Sequence, residues 1–155
     1  MKLRAMILDK TFSYIENDAT VDKWLFWEII RKSDKSLVFF YPKNDTPGCT
    51  IENKDFSCLQ KDYALKWIQL IWVSKDSIES HRDFREKYNL NLLQISDPEL
   101  VLHKHFSAYW EKNNYGKVVL WVIRSTFLID SKWNILKSWK NVRAKWHAEK
   151  VLREI

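Results

Sequence analysis

"SLVFFYPKNDTPGC", residues 36–49, decides the fold, because a buried strand runs directly into a turn and then a helix. The segment SLVFFY (36–41) is continuously apolar and aromatic, which is typical of a strand covered on both faces. Pro42 ends this strand, since proline cannot donate to a central ladder. The Thr-Pro-Gly sequence at 46–48 then predicts a tight entry into a helix whose first turn contains Cys49.

Strands and helices alternate through the rest of the chain. The elements predicted after the turn are a helix at 49–67, strands at 68–74 and 90–96, helices at 76–89 and 97–106, one or two strands at 118–130, a turn at 130–134, a strand at 135–140 and a helix at 147–155. This order predicts an α/β protein with a thioredoxin-like fold, in which helices cover both faces of a central mixed β-sheet. We expect residues 1–155 to form a single domain.

Composition places the chain among globular proteins, with 46% hydrophobic and 30% charged residues. No apolar run approaches the ~20 residues that cross a bilayer, and the N-terminus MKLRAMILDKTF lacks the pattern of a signal peptide. We therefore expect a cytoplasmic protein that does not bind membranes. The net charge is +6 and the densest basic stretch is 137–153, for which a solvated face is favoured over a nucleic-acid site.

Cysteine chemistry is the functional signal of the turn. The free N–H groups at a helix start favour the thiolate, which is the reactive form of cysteine. Cys49 is placed there, at the carboxyl end of a strand where α/β folds bind ligands. The alternative, an inert buried thiol, is the favoured interpretation for Cys58, which is predicted to lie in mid-helix beside Phe56 and Leu59.

The segment FFYPKNDTPGCTIENKDF resembles the active-site segment of peroxiredoxins of the Q type, the bacterioferritin comigratory protein family. Further similarity runs through VSKDSIESHRDFREKYNL, SDPEL, EKNNYGK, IRSTFLID and HAEKVL, so that it covers roughly residues 8–155. The resemblance implies a thiol peroxidase that reduces hydrogen peroxide and organic hydroperoxides through a cysteine sulfenic acid, without a cofactor or a metal. A peroxide-sensing or chaperone-like redox switch with little turnover is the alternative.

The same resemblance assigns roles to four residues. Cys49 matches the peroxidatic cysteine, and Thr46 matches the residue whose hydroxyl hydrogen-bonds the thiolate and the peroxide. Arg124 matches the arginine that stabilises the thiolate and the charge on the leaving oxygen. Pro42 matches the proline that shields the pocket from water. Glu52 matches a common family acid, although a carboxylate in the first helical turn is favourable without any further role.

One family feature is missing, because many Q-type members carry a resolving cysteine five residues after the peroxidatic one and Lys54 occupies that position here. Cys58 is nine residues from Cys49, which is about 13 Å along an intact helix and beyond the ~7 Å reach of a disulfide. We therefore favour a one-cysteine mechanism, with thioredoxin or another thiol as the reductant. Cys58 as the resolving cysteine is a minority hypothesis that requires the helix to unravel.

Tryptophan and glycine counts are abnormal, with nine tryptophans and two glycines where ordinary usage predicts roughly eleven glycines. Six tryptophans stand where similar family segments carry glycine: Trp67, Trp72, Trp110, Trp121, Trp133 and Trp146. Bulky indoles at these positions would overpack a small core. We hypothesise that the gene encodes them with UGA, and that the organism reads this codon as glycine. UGG codons at these six positions would refute the hypothesis.

Other function classes are disfavoured by the sequence. A dithiol oxidoreductase of the thioredoxin type needs a Cys-x-x-Cys motif, which is missing. The histidines of HKH (103–105) lie about 200° apart on a helix, so they do not share a face for metal binding. Nothing orders the aromatic residues on a basic face, so no nucleic-acid partner is expected. We expect a monomer or a weak homodimer.

Overall fold

The computed structural model describes residues 10–16, 19–90 and 92–155. Within them the chain forms nine strands and six helices. The strands are β1 Thr11–Glu16, β2 Ala19–Leu25, β3 Lys35–Phe40, β4 Ile68–Ser74, β5 Leu93–Ser96, β6 Tyr109–Asn114, β7 Lys117–Val122, β8 Ser125–Asp130 and β9 Ile135–Trp139. The helices are α1 Phe26–Ile30, α2 Pro47–Cys58, α3 Gln60–Leu65, α4 Ile78–Tyr88, α5 Val101–His105 and α6 His147–Glu154.

Seven strands form one mixed sheet in the order β2-β1-β5-β4-β3-β8-β9, and β6 pairs with β7 in a separate hairpin. Strand β4 lies parallel to both β3 and β5, whereas β8 lies antiparallel to β3. The predicted class, an α/β protein with a central mixed sheet, is confirmed. Among the described residues no helix is long and apolar enough to cross a membrane.

Strand β3 explains why residues 36–41 are continuously apolar. Its side chains alternate between two core layers: Val38 and Phe40 pack with α1 and α5 on one face. Leu37, Phe39 and Tyr41 pack on the other face with the apolar residues of α2, α3 and α6, which are Phe56, Tyr63, Ala148 and Val151. Helices therefore cover both faces of the sheet, as predicted.

Several predicted boundaries were wrong. The helix expected at 49–67 breaks at Leu59 into α2 and α3. The hairpins β1–β2 and β6–β7 were not predicted. The one or two strands expected at 118–130 are two, β7 and β8. The helix expected at 97–106 is limited to α5, because Leu100 adopts a left-handed conformation with φ 58°. The N-terminal segment at 1–12, in which no signal-peptide pattern was found, lies largely outside the described residues.

Three of the six tryptophans at family-glycine positions adopt backbone conformations that favour glycine. Trp67, Trp133 and Trp146 have φ values of 62°, 69° and 67°, and this left-handed region costs a residue with a Cβ about 1–2 kcal/mol. Trp72 is fully buried, and its indole nitrogen has no hydrogen-bond partner among the described residues. The backbone at Trp67, Trp133 and Trp146 is consistent with the hypothesis that they are read as glycine. The expected overpacking of the core was wrong for the four exposed indoles, which are those of Trp67, Trp110, Trp121 and Trp146.

Candidate active site

The turn between β3 and α2 holds Cys49 at the start of a helix. Thr46 is the extended N-cap residue, with φ −95° and ψ 154°, and Pro47 is the first residue of α2. Proline suits this position because its ring fixes a helical φ. The N–H that proline lacks would have no partner in the first turn of a helix. Cys49 is therefore the third helical residue, beside the positive end of the helix dipole. It is a free thiol with only 1% of its surface exposed.

Arg124 reaches Cys49 because β8 runs antiparallel to β3. Phe40 at the end of β3 pairs with Ser125 at the start of β8, so the preceding Arg124 lies at the same edge of the sheet as the turn. Its Nη2 donates to Cys49 Sγ over 3.3 Å. The structure thus joins two predicted site residues that are 75 positions apart in the chain. A guanidinium in this place stabilises negative charge on the sulfur.

Gly48 makes this approach of the guanidinium feasible. A Cβ added at Gly48 would lie 3.2 Å from Arg124 Nη2 and 3.7 Å from the Ala144 Cβ. The first of these distances is tighter than ordinary van der Waals contact, so a side chain at position 48 would push the guanidinium by a few tenths of an ångström. The glycine of the turn therefore gives the guanidinium room beside Cys49, and its own backbone conformation is helical.

Glu52 was expected in the first turn of the helix, and this expectation was wrong. It is the sixth residue of α2, with 1% of its surface exposed. Its Oε1 lies 3.2 Å from Arg124 Nη1, although the two atoms lack the alignment of a hydrogen bond. Burial raises the pKa of Glu52 to about 7, while Arg124 acts in the opposite direction. The Arg124 guanidinium therefore contacts both the Cys49 thiol and the buried Glu52 carboxyl group.

Thr46 and Pro42 lie in the turn, but their predicted roles are not visible in their contacts. The Thr46 hydroxyl donates to the carbonyl oxygen of Lys43 over 3.0 Å. No hydrogen bond joins Thr46 to Cys49 among the described residues. Pro42 is half-buried and directly follows the buried Tyr41. The hydrogen bond from Thr46 and the shielding by Pro42 stay predictions.

The interpretation of Cys58 as a buried, mid-helix residue was wrong. Cys58 is the last residue of α2 and is an exposed free thiol. The apolar neighbour Phe56 faces the core, whereas Cys58, two residues further along the helix, faces solvent. The two cysteines lie in separate environments at opposite ends of α2.

A buried hydrogen-bond network under the turn was not predicted. The Tyr41 hydroxyl donates to Asn44 Oδ1 over 2.6 Å, and Asn44 Nδ2 lies 3.0 Å from His81 Nδ1. The backbone N–H of Asn44 also donates to Asp76 Oδ2 over 2.9 Å. Burial lowers the pKa of His81 to about 4, so its ring is neutral. Its Nε2–H then donates to Ile95 O, which leaves Nδ1 to accept from Asn44.

The fold and the site together define a class of protein. A thiol at a helix start, contacted by a partly buried guanidinium on a mixed α/β sheet, is suited to a redox enzyme that uses cysteine as its nucleophile. Residues 19–138 match the family model described as the AhpC/TSA family. The chain belongs to this family and, within it, to the peroxiredoxins of the Q type or Bcp group. It is a peroxiredoxin, a thiol-dependent peroxidase with a thioredoxin-like fold.

Relatives and solved structures cover most of the chain. The putative peroxiredoxin bcp of Helicobacter pylori strain J99 is 40% identical over 121 residues, covering 78% of this chain and 80% of that protein. Peroxiredoxin Bcp of Bacillus subtilis is 40% identical over 119 residues, covering 77% of this chain and 76% of that protein. The structure of the Xanthomonas campestris bacterioferritin comigratory protein has a TM-score of 0.86 at 30% identity, covering 99% of this chain and 94% of that chain.

Proposed function

We propose that Cys49 is the peroxidatic cysteine of this peroxidase. The observation that carries the proposal is the 3.3 Å contact from Arg124 Nη2 to Cys49 Sγ at the start of α2. The thiolate attacks the terminal oxygen of the hydroperoxide, an S–O bond forms and the O–O bond breaks. The products are the Cys49 sulfenic acid and, after proton uptake, water or an alcohol.

Arg124, Thr46 and Pro42 complete the proposed site. Arg124 stabilises the thiolate before attack and the negative charge that develops on the leaving oxygen. The Thr46 hydroxyl, at the N-cap of α2, orients the peroxide beside the thiolate. Pro42, directly before this turn, limits the access of water. The 3.2 Å contact of Arg124 Nη1 with Glu52 Oε1 supports this arrangement, because it holds the guanidinium beside Cys49.

The proposed substrates are hydrogen peroxide and organic hydroperoxides. One solved structure of the Xanthomonas campestris relative concerns its alkyl peroxide reduction activity. The similarity of the two folds over 99% of this chain supports the same substrate class here. Whether the organic group is preferred is measured by comparing the rate constants for hydrogen peroxide and an alkyl hydroperoxide.

A one-cysteine cycle is proposed for the return of the sulfenic acid to the thiol. Lys54 occupies the position of the usual resolving cysteine. Cys58 ends α2 about 13 Å from Cys49 along the helix, and its thiol faces solvent. Thioredoxin or another external thiol is therefore the proposed reductant. The proposed setting is the cytoplasm, with residues 1–155 as a single domain and a monomeric or weakly dimeric state.

The proposal is tested by trapping the oxidised cysteine. The reduced protein is treated with one equivalent of hydrogen peroxide in the presence of dimedone, and the labelled peptide is identified by mass spectrometry. A dimedone adduct on Cys49 is expected, since dimedone reacts with sulfenic acids. Labelling of Cys58 alone would contradict the assignment. A Cys49–Cys58 disulfide in good yield, found by non-reducing peptide mapping without dimedone, would replace the one-cysteine cycle.

A further inference from the structure

The side-chain amide of Asn44 lies at the centre of the buried network under the turn 42–49. Its Oδ1 accepts a hydrogen bond from the Tyr41 hydroxyl over 2.6 Å. Its Nδ2 donates to Ser80 Oγ over 3.1 Å and to His81 Nδ1 over 3.0 Å. An amide has one acceptor oxygen and two N–H donors, and each of these groups has a partner here. Asn44 is only 5% exposed, so water competes little for these contacts.

The orientation of this amide is fixed by the neighbouring histidine ring. Burial lowers the pKa of His81 to about 4, so the ring is neutral and carries one N–H. The carbonyl oxygen of Ile95 can only accept, so its 3.1 Å contact with His81 Nε2 places the N–H on that nitrogen. His81 Nδ1 is then an acceptor, and Asn44 must turn its Nδ2 towards it. A flipped amide would bring Oδ1 against the lone pair of Nδ1.

The network joins the turn to its neighbours at one edge of the sheet. Tyr41 directly follows β3, whereas Ser80 and His81 belong to α4. The backbone N–H of Asn44 also donates to Asp76 Oδ2 over 2.9 Å, and Asp76 lies between β4 and α4. Asn44 therefore fixes the turn against the carboxyl ends of β3 and β4 and against α4.

Two observations connect Asn44 to the reacting atoms. Thr46 follows Asn44 by two residues and Cys49 follows it by five, and the Thr46 hydroxyl bonds within the turn, to the carbonyl oxygen of Lys43. A change in the position of Asn44 therefore moves Thr46 and the start of α2 with it. In addition, burial raises the pKa of Tyr41 well above its ordinary value, and negative charge on Cys49 is among the smaller causes that raise it further. The network is therefore close enough to sense the charge of the sulfur.

A second tie of the turn to α4 lies at the surface. The Asp45 carboxylate accepts from Lys87 Nζ over 2.7 Å and from the Tyr88 hydroxyl over 2.6 Å. Asp45 and Lys87 are exposed, and exposed ion pairs stabilise little. A buried polar network with all its partners in place holds its groups more rigidly. The amide of Asn44 is therefore the stronger of these two anchors.

We propose that Asn44 is a positioning residue for peroxide reduction, and that His81 acts through it by holding the amide. The amide fixes the turn so that the Cys49 sulfur and the Thr46 hydroxyl meet the O–O bond of the hydroperoxide in line. Alignment matters because a misplacement of about 1 Å can cost about 100-fold in rate. Asn44 itself touches no reacting atom. This inference rests on the proposed function of Cys49.

The test compares two reactions of the same thiol. All proteins carry Cys58→Ser, so that Cys49 is the only cysteine of the chain. The rate constant with hydrogen peroxide is measured by stopped flow, and the rate constant with iodoacetamide is measured by mass spectrometry at the same pH. Alkylation needs the thiolate but not its alignment with Thr46, so the measured quantity is the peroxide rate constant divided by the alkylation rate constant. Asn44→Ala is expected to lower this ratio roughly tenfold.

Variants of His81 test the step that runs through the amide. His81→Leu removes the acceptor for Asn44 Nδ2 and is expected to lower the ratio as Asn44→Ala does. His81→Gln retains one acceptor and one donor and is expected to keep most of the starting ratio. The double variant Asn44→Ala/His81→Leu is expected to match the lower of the two single variants, because both changes break the same contact. Effects that multiply in the double variant would overturn the role of His81.

Two further variants separate positioning from folding. Asn113→Ala, at an exposed position on β6, is expected to keep the starting ratio. Ser80→Ala removes one acceptor of the same amide from α4 and is expected to lower the ratio about threefold, so it replaces Asn44→Ala as the test if that variant does not fold. An unchanged ratio in the variant tested would overturn the inference, and so would an equal fall of both rate constants. Failure of the starting Cys58→Ser protein to react with hydrogen peroxide would instead contradict the proposed function.

Discussion

Replacement of Glu52 by glutamine tests whether burial raises the pKa of this acid despite the neighbouring Arg124. Glu52 has a pKa of about 7 in the folded protein against an ordinary value of 4.5, mainly because of its burial. Between these two values the folded chain holds a proton that the unfolded chain has released, so the free energy of unfolding falls as the pH rises. At 1.36 kcal/mol per pKa unit, ionisation costs the folded state about 3 kcal/mol above pH 7. Glutamine stays neutral and avoids this cost.

The assay is urea unfolding of the wild type and Glu52→Gln at about pH 5 and pH 8. His81 and His147, whose pKa values are lowered to about 4, titrate in both proteins and cancel in the difference. The variant is expected to gain about 3 kcal/mol relative to the wild type between these two pH values. The matched control Glu111→Gln, at an exposed position on β6, is expected to show no such change.

A constant difference between wild type and Glu52→Gln at both pH values would refute the reasoning. It would mean that Glu52 is already ionised at about pH 5, with Arg124 outweighing the effect of burial. The absolute stability of each protein does not enter this comparison, because only the change with pH is used.

Two further predictions concern glycine positions. Gly48→Ala is expected to lower the rate constant of Cys49 with hydrogen peroxide by up to about tenfold, because the new methyl group crowds Arg124 Nη2 and shifts it from its position beside the sulfur; stopped-flow measurements check this, and an unchanged rate would contradict it. Its control Gly116→Ala, at φ 80° with open space around it, is expected to lose about 1 kcal/mol of stability and to keep the rate. Trp67→Gly is expected to raise the free energy of unfolding by about 1 kcal/mol, because the position has φ 62° and the indole is 72% exposed. Trp24→Gly, within strand β2, is the control and is expected to destabilise; a loss of stability in Trp67→Gly as well would contradict the argument.

Prediction of the central strands from sequence succeeded because each is buried on both faces. Residues 37–41 and 70–73 are apolar throughout, so burial alone identifies these strands. The hairpin β6–β7 was missed, because its residues are mostly exposed and carry no burial pattern. Strand β1 alternates only in part, and its ladder with β2 contains an irregularity between Phe12 and Tyr14.

The site was predictable in part. The Pro-Gly turn and the helix start could be read locally, so Cys49 was identified from its own surroundings. Arg124 came only from the family resemblance, because its contact with Cys49 depends on the antiparallel register of β3 and β8. The burial of Glu52 and the network of Asn44 with His81 depend on the packing of distant elements, which no local pattern records.

The central claim is that peroxide reduction depends on Cys49 and does not require Cys58. The most direct test is peroxide consumption by the wild type, Cys49→Ser and Cys58→Ser, with thioredoxin as the electron donor. Cys49→Ser is expected to lose activity, whereas Cys58→Ser, which changes the other thiol of the same helix, is expected to retain turnover. Full activity in Cys49→Ser would contradict the account, and loss of recycling in Cys58→Ser would require a two-cysteine cycle.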